Sequence, residues 1–171
     1  MKILVTYFSR TGNTEKVAQV VHDELLGSHA AEMRKLKDID VSALSGYDVV
    51  FLGSPIHAGG LADPVKEFLG KLPVNPGFAL AGLVTHASDV YSKENYEKGL
   101  EALESAAKDK GIKHLGCFDC QGKLELAIRP MVQEALGLSD EEWAKRMGET
   151  DKHPDEKDLK NAKEFAAKVV S

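Results

Sequence analysis

The sequence predicts an α/β fold built on a parallel sheet of five strands. Short apolar runs rich in β-favouring residues alternate five times with stretches of helical periodicity. The first run starts almost at residue 1 and hands over to a helix through a tight polar loop. The 171 residues suit one domain, 1–171. A chain of this size buries roughly 68–70% of its unfolded surface, so the core needs no disulfide or metal staple.

Lys2-Ile3-Leu4-Val5-Thr6-Tyr7-Phe8 has the composition of a buried parallel strand, and Ser9 to Gly12 is the turn that ends it. Val17, Val20, Val21 and Leu25 then repeat at helical spacing to about Leu26, with Gly27 as the C-cap. Ala30 to Leu36 is a weaker run, expected as an edge strand. Asp48 to Gly53 is expected as a central strand, followed by a loop from Ser54 to Gly60. Pro64 fits the first turn of the next helix with Asp63 as its N-cap, and Val65, Phe68, Leu69 and Leu72 form its buried stripe.

Pro73 to Gly77 is a loop, and Ala79 to Thr85 is another buried strand. Lys93 to Lys110 is a long amphipathic helix with Tyr96, Leu100, Leu103 and Ala107 inward, ended by Gly111. Ile112 to Phe118 supplies the fifth strand. After Gly122 no further strand follows. Helices are expected around Arg129 to Leu136, from Ser139 to Met147, and from Asp155 to Val170, so 123–153 reads as a helical addition before the last helix.

Hydrophobic residues are 43% and charged ones 29%, which excludes disorder on composition. The net charge of −5, with no Lys/Arg-dense stretch, argues against nucleic acid as a main partner. No apolar run approaches the ~20 residues that span a bilayer, and no signal-peptide pattern opens the chain. Two cysteines do not make a secreted disulfide framework, so a cytoplasmic location without membrane insertion is expected.

The loop Ser9-Arg10-Thr11-Gly12-Asn13-Thr14 places three hydroxyls, an amide and a glycine where the first strand meets the first helix. Unpaired N–H groups and the dipole at a helix N-terminus favour an anion, and Gly12 lets the backbone close around a phosphate. The dipole alone is worth only ~0.3–1 kcal/mol at an exposed site, so several donors must act together. A Walker A loop would need Gly-Lys-Ser/Thr, but Asn13 follows Gly12. A dinucleotide fingerprint would need three glycines where this loop has one. The plain alternative is an ordinary N-cap and turn.

Ser9-x-Thr11-Gly12-Asn13-Thr14 resembles the phosphate loop of the flavodoxins, at the same place after the first strand. The resemblance covers Met1 to Gly122 and the final helix. It implies a doubly wound, flavodoxin-like sheet of order 2-1-3-4-5, with FMN at the switch point between strands one and three. It also implies that three loops converge on the cofactor. These are Ser9 to Thr14, then Ser54, Pro55, Ile56, His57, Ala58, Gly59 and Gly60, then Thr85, His86, Ala87, Ser88, Asp89 and Tyr91. By the same resemblance the Gly59 or Gly60 backbone reorients to meet the flavin N5, and Tyr91 stacks on the ring. Many flavodoxins carry a large aromatic in the second loop, whereas His57 is the one planar side chain here.

Cys117-Phe118-Asp119-Cys120 has the spacing of a redox pair, but residues three apart on a straight strand face opposite ways, so these thiols are read as packing groups. His22, His29, His114 and His153 show no metal-ligand spacing, and no metal is expected. Trp143 is assigned to packing in the helical addition. The resemblance implies an electron carrier between redox partner proteins or to a small-molecule acceptor. An NAD(P)H- or quinone-linked FMN oxidoreductase on the same fold is the alternative, because fold alone does not choose between them. A third reading is a flavin-free module that binds another phosphorylated ligand.

Overall fold

The computed structural model describes residues 1–88, 90 and 93–171, with residue 95 described by its backbone alone. Five parallel strands form the sheet: β1 (Lys2–Tyr7), β2 (Ala30–Lys35), β3 (Val49–His57), β5 (Ala79–His86) and β6 (Lys113–Gln121). A two-residue strand, β4 (Gly60–Leu61), pairs antiparallel with the end of β3. The order is β2-β1-β3-β5-β6, with β4 to one side. The five parallel strands therefore run 2-1-3-4-5 in sequence order, as expected.

Side chains alternate between two apolar layers, as a sheet covered on both faces requires. Ile3, Val5, Phe51, Leu83 and Phe118 face α1 (Asn13–Leu26) and α6 (Glu156–Val170), meeting Val17, Val21, Ala162 and Ala166. Leu4, Val50, Leu52, Leu80 and Val84 face α2 (Asp63–Lys71) and α3 (Glu94–Asp109), meeting Val65, Phe68, Leu69 and Leu103. Each such side chain stabilises the fold by ~1.5–3 kcal/mol relative to exposure, which is why these apolar runs fix the layers. A third, smaller cluster joins Leu124, Val132, Met147 and Trp143 to Val90, packing α4 (Arg129–Leu136) and α5 (Asp140–Thr150) beside the loop after β5.

The structure corrects several boundaries. Ser54 to His57 is not loop but the end of β3. The chain then turns through Ala58 and Gly59, at φ 48° and 81°, into β4. Two consecutive positive φ values give the mirror-image turn that suits a tight hairpin. The N-cap of α2 is Ala62, with Asp63 already inside the helix and no side chain capping it. Gly27 does end α1, but in a right-handed conformation. Short 3-10 turns at Leu36–Asp38 and Val41–Gly46 fill the path from β2 to β3.

Strand β6 runs to Gln121, three residues beyond the expected end. It also carries an extra residue: Leu80 pairs with His114 but Gly82 with Cys117, and Gly116 takes φ 94°. This is a β-bulge with glycine at the left-handed position. Beyond it, Cys117 packs on the α2–α3 side and Cys120 on the α1–α6 side, so the two thiols do face opposite ways. Burial pushes the Cys117 thiol up to about 12 and raises Cys120 as well.

Candidate functional site

A cleft of about 600 Å³ opens at the carboxyl ends of β1, β3 and β5. The chain leaves β1 for β2 on one side, while β3 lies on the other. That reversal of direction opens a crevice beyond the strand ends.

The first wall is the loop between β1 and α1, from which Arg10, Thr11 and Asn13 line the cleft. Gly12 is the N-cap of α1 at φ 86°, and no side chain caps this helix. A Cβ built on Gly12 would meet nothing within 4 Å, so open space adjoins the helix start. Helix geometry leaves the first-turn N–H groups free of internal partners, and here they have room for an anion. Ser9 and Thr14 do not line the cleft. Ser9 Oγ accepts the Gly12 N–H at 3.1 Å and braces the loop. Thr14 Oγ1 and Thr85 Oγ1 share a buried hydrogen bond of 2.8 Å that pins α1 to β5.

The second wall is the β3–β4 hairpin, contributing Pro55, Ile56, His57, Ala58 and Gly59. Ser54 is buried behind it: its Oγ accepts the Ala62 N–H at 3.2 Å and donates to Pro55 O at 2.8 Å. Gly60 is spent on pairing with His57. The His57 ring meets Phe8 edge-on, with centroids 6.1 Å apart. Burial, and then the nearby Arg10 charge, lowers the His57 pKa from its ordinary value.

The third wall is Thr85, His86, Ala87 and Ser88. His86 is 8% exposed and stacks on Tyr96 of α3, with centroids 4.0 Å and planes 13° apart. The Ser88 N–H points at His86 Nδ1 across 3.4 Å, and His86 Nε2 lies 3.1 Å from Asp119 Oδ2 of β6. With Nδ1 accepting, the neutral ring carries its hydrogen on Nε2 and donates to Asp119. Gln121 Nε2 donates to Ser88 Oγ at 2.6 Å. Asp89 and Tyr91, also expected here, lie outside the described residues. An aromatic wall is present all the same, from Tyr96, which the helical periodicity had assigned to the inward face of α3.

The sequence did not point to a fourth wall, formed by Gly122 to Glu125 and Ile128. Asn13 Nδ2 donates to Lys123 O and to Thr11 Oγ1, each at 2.9 Å, and Arg10 pairs with Glu125 at 3.0 Å. These contacts tie the first loop to the helical addition. The Gly122 N–H donates to His86 O at 2.7 Å, which carries the chain from β6 into this wall. The signal available was Gly122 itself, a chain-bending residue just past a strand.

Elsewhere His153, Asp155 and Asp158 bring their ligand atoms within 4.8 Å of one another. Asp155 and Asp158 form the capping box of α6, and His153 Nδ1 lies 2.6 Å from Asp158 Oδ2, which accounts for the grouping. Among the described residues no helix is long and apolar enough to cross a membrane.

A doubly wound sheet with its cleft at the switch point defines the class of open α/β proteins whose ligands sit beyond the strand ends. Within that class, the sequence model of the flavodoxin domain matches residues 4–167, and the chain belongs to the flavodoxin domain family. It is 34% identical to the flavodoxin-like domain-containing protein BilS of Clostridioides difficile, covering 99% of this chain and 97% of that protein. Among solved structures it is similar to oxidised flavodoxin 1 of Bacillus cereus, with TM-score 0.70, 18% identity, and 99% and 97% of the two chains covered. It also resembles part of the rubredoxin oxygen:oxidoreductase of Desulfovibrio gigas, with TM-score 0.67 and 15% identity. That match covers 98% of this chain and 35% of the larger one.

Proposed function

We propose that the protein binds FMN in this cleft and carries electrons between redox partners. The observation that carries the reading is the convergence of three strand ends on the uncapped start of α1, where Gly12 leaves open space. The residues present fit FMN. The N–H groups of the first turn of α1, with Thr11 and Asn13, would hold the phosphate, and Arg10 brings a positive charge beside it. Pro55 to Gly59 and Thr85 to Ser88 would border the flavin ring, with Tyr96 and His86 as the aromatic surface on the β5 side. Ser9, Thr14, Ser54 and Gly60 would support these walls from behind. Bound FMN supplies reversible acceptance of one or two electrons, which a partner protein or small-molecule acceptor then takes up.

The first test is FMN titration of the purified protein, followed by stepwise anaerobic reduction watched by absorption. Tight binding, reduction in resolved one-electron steps and no bleaching by NADH or NADPH would support the carrier. Direct bleaching by a nicotinamide would instead assign an FMN oxidoreductase. The site assignment has its own test in Gly12→Val, which places a branched side chain at the anion position and at a φ that L-residues disfavour. The expected outcome is a folded protein by circular dichroism that no longer retains FMN. Normal FMN occupancy in that variant would overturn the assignment.

A further inference from the structure

His86 is an ionisable side chain, only 6% exposed, in the wall of the cleft. Three elements fix its ring: Tyr96 of α3 stacks on it, Asp119 Oδ2 of β6 lies 3.1 Å from Nε2, and the Ser88 N–H approaches Nδ1 at 3.4 Å. The two nitrogens are held unequally. Nε2 has a carboxylate at hydrogen-bond distance, whereas Nδ1 has one long contact from a backbone donor. A second ring proton therefore goes to Nδ1. It displaces a weak hydrogen bond and makes the contact between Nε2 and Asp119 a charge-assisted one. The Asp119 side chain is 36% exposed, so the pair reaches solvent.

The other charged groups of the cleft are set differently. Burial and the Arg10 charge disfavour a proton on His57. Arg10 pairs with Glu125 and Asp63 with Lys66, each at 3.0 Å, and Lys123 is exposed. Burial, then Asp119 and Glu97, raise the Tyr96 pKa, so the phenol stacked on His86 stays neutral. On the other side of β5, β3 presents Pro55 and Ile56, which carry no charge. Among the described residues, His86 is thus the cleft group placed to gain a positive charge, and negative charge brought into the cleft favours that form.

We propose that His86, positioned by Asp119, takes up one proton for an electron that enters the cleft and releases it when the electron leaves. The inference rests on the FMN reading. The electron comes from a reduced partner protein and is held by FMN. The proton comes from solvent: an O–H bond of hydronium or a buffer acid breaks, and an N–H bond forms at Nδ1. The net charge of the cleft is then the same before and after, and loss of the electron to an acceptor reverses both transfers.

The test uses the protein saturated with FMN, from about pH 5 to 8, where histidines change charge. Ring-nitrogen NMR signals, which separate neutral from protonated imidazole, are compared in the oxidised and fully reduced protein. On reduction the His86 ring should become protonated, and the Ser88 amide signal should move with it as that N–H loses its acceptor. The wild-type midpoint potential should fall more steeply with pH than that of His86→Gln, by up to about 59 mV for each ten-fold change in proton concentration. Asp119→Asn keeps a hydrogen-bond acceptor but removes the charge, so its steep range should lie at lower pH than in the wild type. A merely structural Asp119 would leave that range in place.

A ring in the same protonation state in both redox forms, or a His86→Gln potential as steep as the wild type's, would overturn the proposal while FMN binding stands. A protein that takes up no FMN would overturn both readings. If His86→Gln fails to retain FMN, the wild-type ring signals decide.

Discussion

His57 meets the Phe8 ring edge-on and feels the Arg10 charge, and both its burial and that charge disfavour the protonated imidazole. A histidine with a lowered folded-state pKa contributes stability that is complete above its ordinary value of 6.5. That contribution is lost as pH falls through the lower folded-state value, because the unfolded chain takes up the proton first. Arg10→Gln should therefore raise the His57 pKa, and Glu125→Gln should lower it further, since Glu125 acts in the opposite sense. NMR titration of the ring C–H reads both. Movement of the two variants in the same direction would mean that the loop rearranges rather than that a charge is lost. The sequence put His57 in the loop after the third strand, but the groups that act on it come from positions 8, 10, 63, 66 and 125. Contacts of that kind depend on side-chain direction and tertiary approach, and periodicity does not encode them.

At the scale of elements, local chemistry was legible wherever it acts within one turn. Ser139 with Glu142 and Asp155 with Asp158 form complete capping boxes, and both helices start where such residues predict. Asp155→Ala should cost ~0.5–2 kcal/mol in denaturant unfolding. Contacts between elements were not legible. Arg129 donates to Leu124 O at 3.1 and 3.0 Å and pairs with Asp151, clamping both ends of the helical addition. Arg129→Met would leave that carbonyl and carboxylate without their donor, at a cost of roughly 1–3 kcal/mol. Hydrogen exchange should then rise across 124–151 while β1 and β3 stay protected. Unchanged exchange there would show that apolar packing around Val132 and Met147 holds the addition without the ion pair.

On the scale of the whole molecule, the five-strand alternation was enough to give the two layers, because each buried run must be covered on both faces. The strand order came from the resemblance of the Ser9 to Thr14 loop to the flavodoxin phosphate loop. The same resemblance pointed to three of the four cleft walls, those that follow β1, β3 and β5. The fourth wall belongs to a segment with no strand and no period, and its place depends on Asn13, Arg10 and His86 reaching it. If FMN fills the cleft it touches all four walls, so loading should stabilise the fold as one unit. Ligand at 100 times its Kd adds ~2.7 kcal/mol, which for a chain of this size raises Tm by roughly 5–10 °C. The Gly12→Val variant should show no such rise.

The extra residue at Gly116 sets the parity of everything downstream in its strand. Because of it, His114 and Cys117 share a face, with Cys117 Sγ 3.5 Å from His114 Nε2, and Asp119 emerges on the side where His86 waits. Deleting one residue there would exchange inside for outside in the last turns of the strand. The carboxylate would be driven into the layer beneath α1 and α6, and Phe118 would be sent towards α3. The cleft's buried imidazole thus owes its partner to an odd count made several residues upstream. A homologue that gains or loses one residue before this point must lose the pairing, or restore the count before the strand ends.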